Sequence, residues 1–157
     1  MTGHSGGCQC GAVRYHFEGP PGHASICHCR MCQKAFGNAM APLVSVPMAR
    51  FRWTRGTPSV FRSSPPVSRG FCGTCGTPLY MQDDGDSNIE LAIATLDHPE
   101  VAPPTEQVGV ESKCAWFDAL PGLPHETTLE NNPASADGRY RTLQHPDHDT
   151  AAWVVKR

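Results

Sequence analysis

Gly6-Gly7-Cys8-Gln9-Cys10-Gly11, Cys27-His28-Cys29-Arg30-Met31-Cys32 and Cys72-Gly73-Thr74-Cys75-Gly76 hold all but one of the chain's 8 cysteines. A zinc site takes four ligands when it is structural, and three plus an open position when it is catalytic. Cys8, Cys10, Cys72 and Cys75 make a closed set of four thiolates. Cys27, Cys29 and Cys32 make an open set, and only Cys114 is left over. Two residues between Cys72 and Cys75 let both thiolates reach one ion, with Gly73 and Gly76 suited to the turn. Only Gln9 separates Cys8 from Cys10, a spacing that suits an extended chain, where such side chains share one face; the flanking glycines allow the backbone to bend them together. A shared ion would therefore tie together distant parts of the chain. The middle cluster stays open, or is closed by a fourth ligand, for which Cys114, His4, His16, His23 and His28 are candidates. His28 lies between two ligands and is expected to point away from the ion.

The chain has 157 residues, the size of one ordinary domain, and a net charge of −2. That is no electrostatic footprint for a nucleic acid or a polybasic membrane contact. Gly and Pro number 15 each and are scattered; the longest run without either is the 14 residues 23–36. Helix bundles and βαβ units need longer uninterrupted stretches. The expectation is a mainly β fold of short strands with few short helices. Met1-Thr2-Gly3-His4-Ser5 shows no signal-peptide pattern, and no apolar run approaches a membrane span. A cytoplasmic chain with reduced thiols is expected, which favours metal ligation over a disulfide scaffold.

Alternation predicts a strand over Ala12 to Phe17, with Val13, Tyr15 and Phe17 inward and Arg14 and His16 outward. Further strands are expected at Ala24 to Ile26, Met40 to Val46, Phe51 to Trp53, Ser59 to Ser63, Thr77 to Gln82, Ile89 to Leu96 and Val108 to Glu111. Pro42 and Pro47 suggest that their strand lies at an edge. A short helix is expected over Met31 to Phe36, stopped by Gly37-Asn38. Asp83-Asp84-Gly85-Asp86 reads as a turn. From Thr127 the chain becomes polar and turn-rich, with Asn131-Asn132-Pro133, Asp137-Gly138 and Pro146-Asp147. Ala151 to Val155 adds a late strand or packs as a tail.

The three clusters with their flanks resemble the glutathione-dependent formaldehyde-activating enzyme family, which includes centromere protein V. The likeness extends through Phe61-Arg62-Ser63-Ser64, Arg69-Gly70-Phe71, Thr77-Pro78-Leu79, Glu111-Ser112-Lys113-Cys114-Ala115-Trp116-Phe117 and Gly122-Leu123-Pro124. It implies a zinc-stapled β-tent of small antiparallel sheets over residues 1–126, with 127–157 as a C-terminal extension. It implies two zinc ions per chain, a structural one on Cys8, Cys10, Cys72 and Cys75 and a catalytic one on Cys27, Cys29 and Cys32. The implied activity is addition of glutathione to formaldehyde, formally a carbon–sulfur lyase reaction in reverse.

A zinc ion already holding three thiolates is a weak Lewis acid, but it still binds and deprotonates a thiol. The substrate thiol is therefore expected at the fourth position of the middle cluster, with a small aldehyde beside it and water or Lys34 as proton donor. Arg30, Lys34, Arg69 and Lys113 are candidates to hold the thiol's carboxylates, or are solvated surface charges. Trp53 and Trp116 line an apolar wall or belong to the core, and Cys114 reads as a small buried apolar residue. The rival function is a non-catalytic, zinc-stabilised binding module. A nucleic-acid-binding zinc ribbon ranks last, because thiolates on zinc make the charge more negative still.

Overall fold

The computed structural model describes residues 3–133, 136, 138 and 141–156. Along the chain come β1 (Gly3–Gly7), β2 (Arg14–Glu18), β3 (Ala24–Cys27), α1 (Arg30–Phe36), β4 (Ala41–Pro47), β5 (Phe51–Arg55) and β6 (Ser59–Ser64). Then follow β7 (Val67–Phe71), β8 (Pro78–Asp83), β9 (Asn88–Ala92), β10 (Glu106–Val108) and α2 (Thr128–Asn131). The fold is mainly β, with these strands in two sheets. β1, β2 and β5 form the smaller sheet, and the larger has the order β10-β3-β4-β9-β8-β7-β6. Pairing is antiparallel except between β10 and β3, which run parallel.

Alternation in β2 places Tyr15 and Phe17 wholly inside. They join Val44, Val46, Leu79, Ile89 and Leu91 from the larger sheet in one apolar cluster. Burying a side chain of this kind is worth about 1.5–3 kcal/mol. The Tyr15 hydroxyl meets that of Thr95 at 2.8 Å, so the buried phenol is not left unpaired. Cys8 and Cys72 belong to the same cluster, at its margin.

Several expectations are corrected. Arg14 is buried rather than outward-facing, because Asp97 grips it with two hydrogen bonds of 2.7 and 2.6 Å. The strand with Pro42 and Pro47 is interior, between β3 and β9. Each proline nevertheless falls where one neighbour has run out. Pro42 pairs with Ile26 before β9 begins its pairing at Leu43, and Pro47 pairs with Asn88 after β3 has ended its own at Val44. No ladder bond therefore needs the missing N–H. β9 ends at Ala92, where the Thr95 hydroxyl donates to the Ala92 carbonyl at 2.7 Å and Ile93–Thr95 make a 3-10 turn. β10 ends at Val108 because Gly109 takes a left-handed backbone, and Val110–Ser112 is a 3-10 turn. β1 and β7 escape a pattern reading, since glycines and polar residues hide their alternation. Gly70 in β7 lies so close to the Tyr80 ring that any Cβ there would overlap it.

α1 stops as expected at Gly37, whose left-handed conformation lets its N–H reach back to Gln33 and Lys34. No strand forms over the described residues of Ala151 to Val155, and the segment packs as a tail. Trp153 Nε1 donates to the Cys10 carbonyl at 2.7 Å and the His145 N–H to that of Gln9 at 2.8 Å. Arg55 donates to the Gly11 and Thr150 carbonyls, so the tail lies on the first cysteine turn. Burial, with Arg14 and Arg55 nearby, holds the His145 imidazole below its ordinary pKa. Met1, Thr2, Asp137 of the expected Asp137-Gly138 turn, and Arg157 lie outside the described residues.

Arg14 and Asp97 are both buried, whereas Asp149, the second partner of Arg14, is half exposed. Removing one member of a buried pair strands the other charge. Asp97→Ala is expected to lower unfolding free energy by about 3 kcal/mol in urea titrations, and Asp149→Ala by less than about 1 kcal/mol.

Candidate functional site

Two turns built alike bring four sulfurs together. In the first, the Cys8 N–H donates to Val13 and the Cys8 carbonyl accepts from Gly11. In the second, the Cys72 N–H donates to Thr77 and the Cys72 carbonyl accepts from Gly76. Gly11 and Gly76 both have positive φ, which closes each turn. Backbone N–H groups then point at sulfur, from Val13 to Cys8 at 3.3 Å and from Thr74 to Cys72 at 3.4 Å. The Gln9 N–H donates to the Thr77 hydroxyl at 3.1 Å and locks one turn to the other.

The sulfurs of Cys8, Cys10, Cys72 and Cys75 all lie within 4.8 Å of one another. Cys8 to Cys10 is 3.6 Å and Cys10 to Cys72 is 3.8 Å. Tetrahedral bonds of about 2.3 Å to zinc set neighbouring sulfurs about 3.8 Å apart. The set therefore has the size and donor chemistry of a closed zinc site. Burial pushes the Cys8 thiol up to about 12, and a central cation would hold it as the thiolate. At the exposed rim, burial of the Cys75 sulfur is outweighed by hydrogen bonds from the Thr77 hydroxyl and the Thr77 and Cys10 backbone, and its thiol falls to about 6.

The second set is Cys27 at the end of β3, Cys29 at the N-cap of α1 and Cys32 in its first turn, again within 4.8 Å of one another. The Cys32 N–H donates to the Cys29 sulfur at 3.4 Å. Burial, aided by the neighbouring thiols, pushes Cys27 up to about 12. Burial also raises Cys32, against a hydrogen bond from Arg69. Among the described residues no fourth His, Cys, Asp or Glu completes this set. His28 is turned aside, as expected: its Nε2 donates to Gln107 at 2.9 Å and its ring meets Phe117 edge-on. His4 stacks on Phe17, His16 lies between Ser5 and Glu18, and His23 pairs with Glu106. Cys114 is only half-buried and stands outside both sets.

The cluster is braced from the C-terminal side. The His28 N–H donates to the Val108 carbonyl at 2.8 Å, and buried Gln33 donates from Nε2 to the His28 and Ser112 carbonyls at 2.8 Å each. Gly109 packs against the Cys29 backbone.

A groove of about 430 Å³ lies along α1, between Arg30, Met31 and Lys34 on one side and Phe61, Ser63 and Arg69 on the other. A lobe of about 460 Å³ shares Phe61 and Arg69 and continues past Phe36, Phe71 and Tyr80. Of the four basic candidates, Arg30, Lys34 and Arg69 line this groove. Lys113 is held by Asp118 at 2.8 Å. Arg69 is 6% exposed and no solvated surface charge. Its Nη2 lies 3.4 Å from the Cys32 sulfur and its Nε donates to the Ser63 hydroxyl at 3.1 Å. Trp53 packs with Tyr15, Phe51 and Tyr80, whereas Trp116 is exposed. Sequence reasoning missed Phe61 and Ser63 as groove walls, although both lie in the Phe61-Arg62-Ser63-Ser64 stretch that carries the family likeness, and it missed the tail's hold on the first turn, which no local motif signals.

Two sheets carrying a closed four-cysteine set and an open three-cysteine set define a β protein with two candidate metal centres. A family model described as glutathione-dependent formaldehyde-activating enzyme matches residues 3–112, and the chain belongs to that family. Among solved structures it is similar to a Rhodobacter sphaeroides protein, a structural-genomics crystal structure. The identity is 22% and the TM-score 0.55, over 66% of this chain and 99% of that one, a likeness of fold. Among the described residues no helix is long and apolar enough to cross a membrane.

A Cβ at Gly109 would lie 2.8 Å from the Cys29 nitrogen, on a backbone with φ of +65°. Gly109→Ala is expected to cost about 1–3 kcal/mol in urea unfolding. Gly122→Ala, with nothing within 4 Å of the added atom, is expected to change stability by less than about 0.5 kcal/mol.

Proposed function

We propose that the protein is a zinc-dependent enzyme that adds glutathione, or a similar thiol, to formaldehyde or another small aldehyde. The reaction is formally that of a carbon–sulfur lyase run toward synthesis. The observation that carries this reading is the open set of three cysteines, which Arg69 joins to a groove with basic and apolar walls. Family membership supports the choice of thiol and aldehyde. In this reading Cys8, Cys10, Cys72 and Cys75 hold a structural zinc, and Cys27, Cys29 and Cys32 hold a catalytic one. A reducing, cytoplasmic setting suits both, and neither a nucleic acid nor a membrane enters the scheme.

Zinc in the open set supplies a position where a thiol binds and gives up its proton near neutral pH. The chain's own residues do the rest. Arg30 and Lys34, on the groove side of α1, receive the carboxylates of a glutathione-like thiol. Phe61 and Met31 shield its body from water. Gln33 keeps the cysteine turn in place by gripping the two backbone segments beside it. The thiol sulfur attacks the aldehyde carbon, the carbonyl electron pair moves to oxygen, and water or Lys34 returns a proton to that oxygen. Lys113, engaged by Asp118, has no part.

Reduced, loaded protein is expected to contain two zinc ions, the second lost first to a chelator. Cys→Ser at 8, 10, 72 or 75 should unfold or aggregate the chain, since a structural zinc supplies on the order of 10 kcal/mol of folding free energy. The same change at Cys27, Cys29 or Cys32 should leave a folded protein that no longer speeds hemithioacetal formation, followed by NMR with glutathione and formaldehyde. Equal loss of thermal stability in both groups, with no acceleration by the unaltered protein, favours a non-catalytic binding module instead.

A further inference from the structure

Arg69 is a buried cation, and among the described residues it pairs with no carboxylate. Its guanidinium meets the Ser63 hydroxyl and the Cys32 sulfur, and its Nη1 is buried without a hydrogen-bond partner. A buried charge of this kind needs a counter-charge nearby. The one its Nη2 touches is that of the three-cysteine cluster. The closed set is served differently, by uncharged backbone N–H groups from Val13 and Thr74.

The difference has a chemical meaning. In the closed set all four sulfurs belong to the chain, so they are held at high effective concentration whatever their mutual repulsion. In the open set the fourth ligand comes from solution. Three thiolates around a divalent ion already leave a net negative charge, and an incoming thiolate adds another. A cation fixed against Cys32 offsets that added charge, and it does so in a site shielded from water. It does nothing for a neutral ligand.

We propose that Arg69 is a positioning residue that selects an anionic fourth ligand, a thiolate, over a neutral one at the Cys27/Cys29/Cys32 centre. The proposal rests on the metal-loaded reading of that cluster given above. It does not depend on turnover.

The test uses the full-length protein with zinc in the four-cysteine set and cobalt(II) in the three-cysteine set. Sulfur-to-cobalt charge-transfer bands then report a thiolate that joins, and the cobalt d–d bands report azide or imidazole. The unaltered chain, Arg69→Gln and Arg69→Lys are titrated with 2-mercaptoethanol, azide and imidazole. Arg69→Gln is expected to keep the three-sulfur spectrum, to bind mercaptoethanol and azide about tenfold or more weakly, and to bind imidazole within about twofold of the unaltered chain. Arg69→Lys, which keeps the charge, should recover most of the anion affinity. Unchanged anion affinity in Arg69→Gln overturns the proposal, and so does an equal loss for imidazole, which would mark a packing role. If Arg69→Gln fails to hold cobalt, Arg69→Lys decides: anion binding close to that of the unaltered chain supports the proposal, and loss of the metal there too overturns it. If the unaltered chain takes no thiolate, the thiol-addition reading fails by itself, while the comparison of azide with imidazole still judges Arg69.

Discussion

Four sulfurs from two different sheets meet within 4.8 Å of one another, and the rest of the molecule is arranged around that meeting. Cys8 and Cys10 follow β1 of the smaller sheet; Cys72 and Cys75 form the turn between β7 and β8 of the larger one. Strand pairing binds each sheet internally; between the sheets lie a modest apolar core and a few polar links, Arg14 to Asp97 and Tyr15 to Thr95 among them. A metal shared by both turns would close a loop of about sixty residues beside that core. Its binding energy is comparable with the whole net stability of an ordinary domain, roughly 5–15 kcal/mol. The tail adds to the same junction: Trp153 and His145 bond to the carbonyls of Cys10 and Gln9, backing the turn from outside.

The open cluster depends on this frame at one remove. Cys27 ends β3, whose neighbours β4 and β10 fix its direction, and Cys32 is carried on α1 directly after it. Arg69 reaches the cluster from β7, the strand that leads into Cys72. One strand thus feeds both centres, supplying a cation to one and, at its end, two sulfurs to the other. The three sulfurs are preorganised by backbone bonds and by Gln33, and Arg69 links them to the groove.

How much of this was legible in the chain follows from how local each signal is. The partition of seven cysteines into four and three could be read from spacing, because a knuckle's geometry is set by the few residues between its ligands. β2 and α1 were legible for the same reason, one through alternation and the other through its glycine stop. What spacing cannot carry is the environment. Arg69 looks like any strand arginine until β7 is placed beside α1. Pro42 and Pro47 look like edge markers until their neighbours' lengths are known. β9 stops short because the Thr95 hydroxyl takes the Ala92 carbonyl, a contact that hydropathy does not encode. The groove wall at Phe61 and Ser63 arises where β6 comes to lie opposite α1, so the Phe61-Arg62-Ser63-Ser64 stretch marks the family without revealing that role.

The claim that all else rests on is that the cysteines form two separate metal centres, one closed and one open. Anomalous diffraction at the zinc edge from crystals of the reduced, zinc-loaded protein tests it most directly. Two peaks are expected, one about 2.3 Å from the sulfurs of Cys8, Cys10, Cys72 and Cys75, the other about 2.3 Å from those of Cys27, Cys29 and Cys32 with no fourth protein ligand. A single peak, or a second peak completed by a histidine or by Cys114, would contradict it.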